Sequence, residues 1–161
     1  MGSRLLLVVA VLVALFLPPA ISAQQPGPQN AFTIRDASRL VTQLAGALEA
    51  HELNNFLSTF DLTRMNGGEL FKQQIVSLFA HADSIRVHLN LTEVGTNGGK
   101  STATVEGEIE TAPADDNTPP VRKHATLQFT AERISAMWRF TDVQPRTFFS
   151  TSTPPKAQPS Q

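Results

Sequence analysis

The spacing of hydrophobic residues changes near residue 84. Between residues 34 and 79, apolar residues recur three and four positions apart, which is the spacing of an amphipathic helix. After residue 84 they alternate with polar residues at every second position, as in a strand with one apolar face. The pattern therefore predicts helices followed by strands.

Three helical segments are predicted in the first half. A long stripe begins at Ile34 and ends at Leu48, with Thr33 or Asp36 as its cap. The turn-rich residues 61–68 separate the second segment from the third. The members of the three stripes are Ile34, Ala37, Leu40, Val41, Leu44, Ala47 and Leu48; Leu53, Phe56, Leu57 and Phe60; and Leu70, Phe71, Ile75, Leu78 and Phe79.

Four strands are predicted in the second half, at residues 84–94, 100–111, 121–133 and 134–143. In the last strand we expect Ala136, Trp138 and Phe140 to share one face. A sheet with one apolar face needs a cover, and only the helices can supply it. The predicted fold is α+β, with three N-terminal helices packed on one face of a curved four-stranded antiparallel sheet.

The chain begins with the pattern of a secretory signal peptide. Arg4 precedes an apolar run from Leu5 to Leu17, and the small residue Ala23 follows. The run is shorter than the roughly 20 residues that a membrane span requires. We expect cleavage after residue 23 and an exported protein, periplasmic or secreted, without stable membrane insertion afterwards. Residues 24–31 and 150–161 are polar and rich in proline, so a disordered linker and tail are predicted on either side of a domain at 32–149.

Composition removes several classes of function. The chain has no cysteine, which excludes disulfides and thiolate chemistry. Thirteen Lys and Arg against fourteen Asp and Glu, with no basic run, leave no surface for nucleic acid or anionic membrane. The motifs of phosphate-binding loops, nucleophile elbows and zinc helices are missing from the sequence. No cofactor is therefore expected.

Two segments and the order of elements resemble a known superfamily. The segments are AHELNNFLSTF, at residues 50–60, and MWRFTDVQP, at residues 137–145. With three helices before four strands, the chain resembles the nuclear transport factor 2-like superfamily, also called SnoaL-like or cystatin-like, over about Ile34 to Phe149. The resemblance implies a cone with an apolar pocket between helices and sheet. It also implies a homodimer through the sheet, because many members associate there.

An apolar ligand pocket is the main site that this interpretation predicts. Its lining is aromatic and aliphatic and holds no ionisable group, which suits a small flat apolar ligand. The alternative is ordinary core packing by the same residues. The candidate pocket residues are Phe56, Phe60, Phe79, Leu89, Val105, Leu127, Phe129, Trp138 and Phe140.

Asp61 is a weak candidate for a catalytic acid or base. The resemblance implies that an acid after the second helix points to the cavity mouth, where desolvation would raise its pKa. The alternative is a turn residue that accepts hydrogen bonds from nearby backbone amides. Steroid isomerases of the superfamily use a tyrosine in the oxyanion hole, and this chain has no tyrosine. No catalytic residue is therefore assigned.

The histidines suggest a metal site only weakly. His88 and His124 fall on polar strand faces, where Glu106 could join them in a site of two histidines and one carboxylate. His51 and His81 add no metal-binding spacing. The alternative is a solvated face with cross-strand charge pairs, and no metal site is assigned.

Glu106, Glu108 and Glu110 form an acidic row along one strand. We expect Arg86, Lys123 and Arg139 to face that row from other strands, where they would set strand register or form a dimer interface.

The sequence thus favours an exported, non-catalytic module that binds a small apolar ligand or a protein partner as a homodimer. The alternative function is a SnoaL-like isomerase, dehydratase or hydrolase that uses Asp61 in the pocket.

Overall fold

A computed structural model of the chain describes residues 31–114 and 117–151. The predicted signal peptide at 1–23, the linker residues 24–30 and the tail residues 152–161 lie outside the described residues. Within these two ranges, none of the helices has the length and hydropathy needed to cross a membrane.

Three helices are present, α1 Ile34–Glu49, α2 Leu53–Ser58 and α3 Gly68–His81. Thr33 caps α1, because its hydroxyl accepts a bond from the Asp36 amide and the Asp36 carboxylate accepts one from the Thr33 amide. Of the two predicted cap candidates, Thr33 is the N-cap, and Asp36 completes the capping box from the third position of the helix.

The helical stripes pack towards the sheet with two exceptions. Ile34 is 69% exposed and Leu70 is 71% exposed, so their predicted places on the buried stripes were wrong. Ile34 opens the first turn of α1, at the end of the helix. Leu70 lies about 100° round α3 from Phe71, which takes the buried position with Ile75 and Leu78.

The sheet has four antiparallel strands in sequence order: β1 Ser84–Asn97, β2 Lys100–Ala112, β3 Val121–Ile134 and β4 Met137–Gln144. The sheet is curved and not closed, and the three helices pack with it. The predicted α+β fold class is confirmed. The apolar side chains of the strands form the inner face, towards the helices, and the polar ones form the outer face.

The last strand differs from its prediction at two points. Ala136 is exposed in the turn between β3 and β4, with φ of 69°, so it shares no strand face with Trp138 and Phe140. A bulge at Thr141 then shifts the register, because Ala131 pairs with Phe140 and Phe129 pairs with Val143. The extra residue keeps both Phe140 and Val143 in the core.

A short C-terminal turn completes the core. The 3₁₀ helix η1, Arg146–Phe149, follows β4 and buries Phe148 and Phe149. The Phe149 ring meets the Phe56 ring edge to face at 5.7 Å. The Phe148 ring lies where Gly107 leaves the inner face open, since a Cβ atom there would be 3.0 Å from it. The turn of Phe148 and Phe149 therefore occupies the space between helices and sheet.

Lys123 holds that turn in place. Its Nζ donates to the carbonyl oxygens of Thr147, at 3.2 Å, and Ser150. Burial lowers the pKa of the Lys123 ammonium. Lys123 lies on the inner face opposite Ile109, so the prediction that it faces the acidic row was wrong.

Candidate functional site

The candidate pocket residues come together between the helices and the sheet. The rings of Phe129 and Phe140 are 4.4 Å apart, and Phe148 and Phe149 belong to the same cluster. Six candidates are buried: Phe56, Phe60, Val105, Leu127, Phe129 and Phe140. Phe79, Leu89 and Trp138 are partly buried and pack against the cluster. Binding of an apolar ligand among these packed side chains stays a prediction.

Asp61 stabilises the turn between α2 and α3. Its carboxylate oxygen Oδ1 accepts bonds from the Thr63 amide at 3.1 Å, the Thr63 hydroxyl at 2.5 Å and the Arg64 amide at 3.2 Å. Chiefly because of the Thr63 hydroxyl, the pKa of Asp61 lies below its usual value. A carboxylate with a lowered pKa is a weak general base at neutral pH. The geometry matches the turn role, which the sequence offered as the alternative to catalysis.

Replacing Asp61 with asparagine is expected to remove a pH-dependent part of the stability. Because the folded-state pKa lies below the unfolded one, the carboxylate stabilises the fold above the unfolded pKa, near 3.8, and this contribution disappears as the pH falls through the folded value. Asparagine keeps an oxygen for the turn but does not titrate. Urea unfolding from pH 7 to pH 2.5 should show a loss of about 1 kcal/mol or less for Asp61→Asn at pH 7, because solvent screens this site, and the difference from the wild type should narrow in acid. Two curves that stay parallel would contradict this account.

The outer face of the sheet carries three rows of polar side chains in register across β1, β2 and β3. In each row a glutamate of β2 lies between one residue of β1 and one of β3. The rows are Asn90–Glu106–Thr126, His88–Glu108–His124 and Arg86–Glu110–Arg122.

A continuous groove follows these rows. Its first part, of about 440 Å³, covers the rows of Glu106 and Glu108, with Gly107 and Ala125 in its lining. Its second part, of about 290 Å³, reaches the row of Glu110 and Glu49 of α1. The two parts share His88 and Glu108. The groove is therefore open, polar and wide enough for side chains of a partner.

The charges of the groove are neutralised at one end only. Glu110 accepts bonds from Arg122 and Arg86, and the pKa of Glu110 is lowered, chiefly by Arg122. Arg122 also lies 3.3 Å from Glu108. Glu106 has no ion pair or side-chain hydrogen bond within residues 31–114 and 117–151. The row of Glu106 thus presents an uncompensated carboxylate to solvent.

The acidic row that runs along β2 consists of Glu106, Glu108 and Glu110, and the basic residues that face it differ in part from those predicted. Arg86 does face it, as expected. Arg122 takes the place predicted for Lys123, because alternation along β3 turns Lys123 inward. Arg139 lies on β4 opposite Glu132 and is separated from β2 by β3, so that prediction was also wrong.

The strand register places Glu108, instead of Glu106, between His88 and His124. His124 Nε2 is 3.8 Å from the Glu108 carboxylate, which is an ion-pair distance. No three His, Asp or Glu side chains in the described part of the chain are arranged to hold a metal ion. His51 and His81 lie elsewhere, against Phe79 and the Ser77 carbonyl respectively.

Two features of the interior were missed in the sequence. The side chains of Phe148 and Phe149 fill the space between helices and sheet, and Lys123 holds their turn in place. Two adjacent phenylalanines beside a polar tail were a signal of burial, because such side chains rarely stay in solvent.

Comparison with known proteins supports the fold alone. No family model and no curated protein matches the chain. A candidate scytalone dehydratase from Novosphingobium aromaticivorans is similar in structure, with a TM-score of 0.59 and 10% identity over 68% of this chain and 79% of that one. An NTF2-like superfamily protein from Salmonella enterica has a TM-score of 0.58 and 9% identity over 68% and 86%. A candidate aromatic ring hydroxylase from N. aromaticivorans has a TM-score of 0.57 and 16% identity over 70% and 89%. The chain thus has the NTF2-like fold.

Proposed function

We propose that this NTF2-like domain is a non-catalytic module that binds protein, and that its first partner is a second copy of itself. The observation that carries the proposal is the C-terminal turn, which puts Phe148 and Phe149 into the space between helices and sheet. With that space occupied, the outer groove offers an open surface to a partner.

The chemistry of the interior supports a role without catalysis. Thr59 and Thr141 are the buried polar residues of the described ranges, and Lys123, an ionisable residue of the inner face, already donates to the carbonyl oxygens of Thr147 and Ser150. The Asp61 carboxylate is already bonded to the turn of Thr63 and Arg64. The dehydratase and hydroxylase names belong to the neighbouring structures, and fold alone does not transfer their chemistry.

The charge pattern of the outer face supports self-association. On the outer face, the glutamates of β2 form an acidic line along the strand, and the facing residues of β1 and β3 form basic or polar lines on either side of it. Arg86, Glu110 and Arg122 show this arrangement in one row across the three strands. A twofold axis parallel to the strands and placed between β2 and β3 would lay the acidic line of one copy over the β3 line of the other, which carries Arg122 and His124. This is the self-complementarity that a symmetric dimer needs. Three strands of this length cover roughly 40 Å by 15 Å. That area, about 600 Å² per copy, is at the lower end of stable interfaces.

Sedimentation equilibrium of the chain without residues 1–23 tests the dimer. We expect a dimer in the wild type and a dissociation constant at least about tenfold higher in Glu106→Lys, because the substitution reverses one charge of the acidic line that faces the other copy. Glu69→Lys is the matched control, since Glu69 lies on the exposed side of α3, away from the groove. A monomer at about 100 μM, well above the micromolar range of specific pairs, would reject the proposal.

The leader-like residues 1–23 support an exported location for the module.

A further inference from the structure

The hairpin of β3 and β4 forms a second groove with the start of α1, on the inner side of the sheet. Trp138 pairs with Arg133 in register, and the Phe32 ring lies 4.9 Å from the Trp138 ring. A cavity of about 310 Å³ lies here, with Arg39, Met137 and Trp138 in its lining. It is separate from the outer face on which the proposed function rests.

Large apolar side chains are exposed at this end of the molecule. In the described residues, four large hydrophobic side chains are exposed, and two of them, Ile34 and Met137, are here. Trp138 is only partly buried. Tryptophan, methionine and arginine are enriched in protein interfaces, and tryptophan and arginine are frequent anchors of binding energy.

Arg39 gives the groove a positive charge without a matching carboxylate. It has no ion pair or hydrogen bond within the described residues. Asp36 is the acidic residue of the lining, but its Oδ2 accepts bonds from the Thr33 amide at 3.1 Å and the Thr33 hydroxyl at 2.6 Å. Arg133 also lies in the lining but already has an interaction of its own, so Arg39 is the cation that the argument uses. Arginine binds carboxylates in a two-pronged geometry, so this lining suits an acidic group.

The turn that carries the groove has a strained backbone. Ser135 and Ala136 have φ values of 48° and 69°, in a region that residues other than glycine seldom adopt. Positive φ at both positions of a two-residue loop is the geometry of a tight hairpin turn, whose twist matches that of the strands it joins. The turn also holds Met137 and Trp138 at a fixed position beside α1.

We propose that this groove binds an extended segment of a partner protein in which a carboxylate side chain neighbours a large apolar one. The apolar side chain packs on Trp138 and Met137. The carboxylate pairs with Arg39.

Trp138 is the only tryptophan of the chain, so its fluorescence reports on this groove directly. The probes are the peptide acetyl-Asp-Leu-Glu-Phe-amide and its neutral analogue acetyl-Asn-Leu-Gln-Phe-amide. We expect a saturable change of emission with the acidic peptide and binding at least about tenfold weaker for the neutral one. Arg39→Gln should weaken binding of the acidic peptide to a similar extent. Lys72→Gln on α3 is the control and should bind as the wild type does.

Circular dichroism establishes that both variants are folded. The proposal is wrong if the emission does not saturate at millimolar peptide, if both peptides bind equally, or if Arg39→Gln binds as tightly as the wild type. It is also wrong if the emission changes with protein concentration alone, because the groove is then an interface between copies of this chain.

Discussion

Replacing Phe149 with alanine is expected to lower the free energy of unfolding by about 3–5 kcal/mol. The side chain is fully buried, and its ring meets those of Phe56, Phe71 and Phe148 at 5.0–6.1 Å. Its removal costs the transfer energy of the ring and leaves a cavity that rigid aromatic neighbours cannot close. Urea denaturation monitored by circular dichroism measures the loss.

Leu70→Ala is the control for Phe149→Ala, because it also truncates a large apolar side chain but at an exposed site on α3. Its effect should stay within about 0.5 kcal/mol. A loss for Phe149→Ala no larger than that of the control would show that the C-terminal turn does not fill the core. If the alanine variant does not fold, the milder Phe149→Leu gives the same comparison.

The cavity of Phe149→Ala also tests the predicted apolar pocket. A space lined by apolar side chains stays dry and binds small aromatic molecules. Toluene should therefore raise the unfolding midpoint of the variant and leave that of the wild type unchanged. An equal rise in both proteins would mean that the wild type already has room for such a ligand.

Replacing Gly68 with alanine is expected to destabilise the fold by about 3 kcal/mol, the upper part of the range for overpacked sites. A Cβ atom at this position would lie 2.1 Å from the carbonyl oxygen of Leu62, which is backbone and cannot rotate away. The start of α3 and the turn of Asp61 would both have to move. Thermal unfolding measures the change.

Gly46→Ala is the matched control for Gly68→Ala. Gly46 lies within α1, where an added Cβ atom would have no neighbour within 4 Å. The same added methyl group should there stabilise the protein by about 1 kcal/mol through helix propensity. The two variants are therefore expected to shift the unfolding temperature in opposite directions, and shifts of the same sign would contradict the packing at Leu62.

The elements could be read from the sequence because periodicity is a local property. Ala37, Leu40, Val41 and Leu44 all fall on one side of any α-helix, whatever lies next to it. Alternation likewise assigned Val105, Ile109, Leu127 and Phe129 to the buried face of their strands. One layer of helices on a one-sided sheet then followed from the need to cover that face.

The features that periodicity missed depend on contacts between distant parts of the chain. The bulge at Thr141 appears only when β4 is paired with β3. The position of Glu108 between two histidines depends on register, which no single strand specifies. Ile34 matched the helical stripe but lies at its end, where the core no longer reaches.

The candidate site was harder to predict than the fold for a chemical reason. Phe129 or Phe140 would look the same in a sequence whether they lined an empty pocket or packed against Phe149. An aspartate at position 61 likewise suits either a catalytic acid or base or a turn residue. Only its hydrogen bonds from the Thr63 and Arg64 amides show that the geometry favours the turn role.

The packing of the C-terminal turn, which Lys123 holds in place, has a consequence for biosynthesis. Phe149 is synthesised after all the α-helices and strands of this domain, yet its ring packs against Phe56 of α2 and Phe71 of α3, which are made much earlier. A nascent chain that ends before residue 146 therefore has aromatic surface on Phe56 and Phe71 that nothing yet covers. Completion of the domain therefore waits until residues 146–149 have emerged, and until then this aromatic surface is available to chaperones.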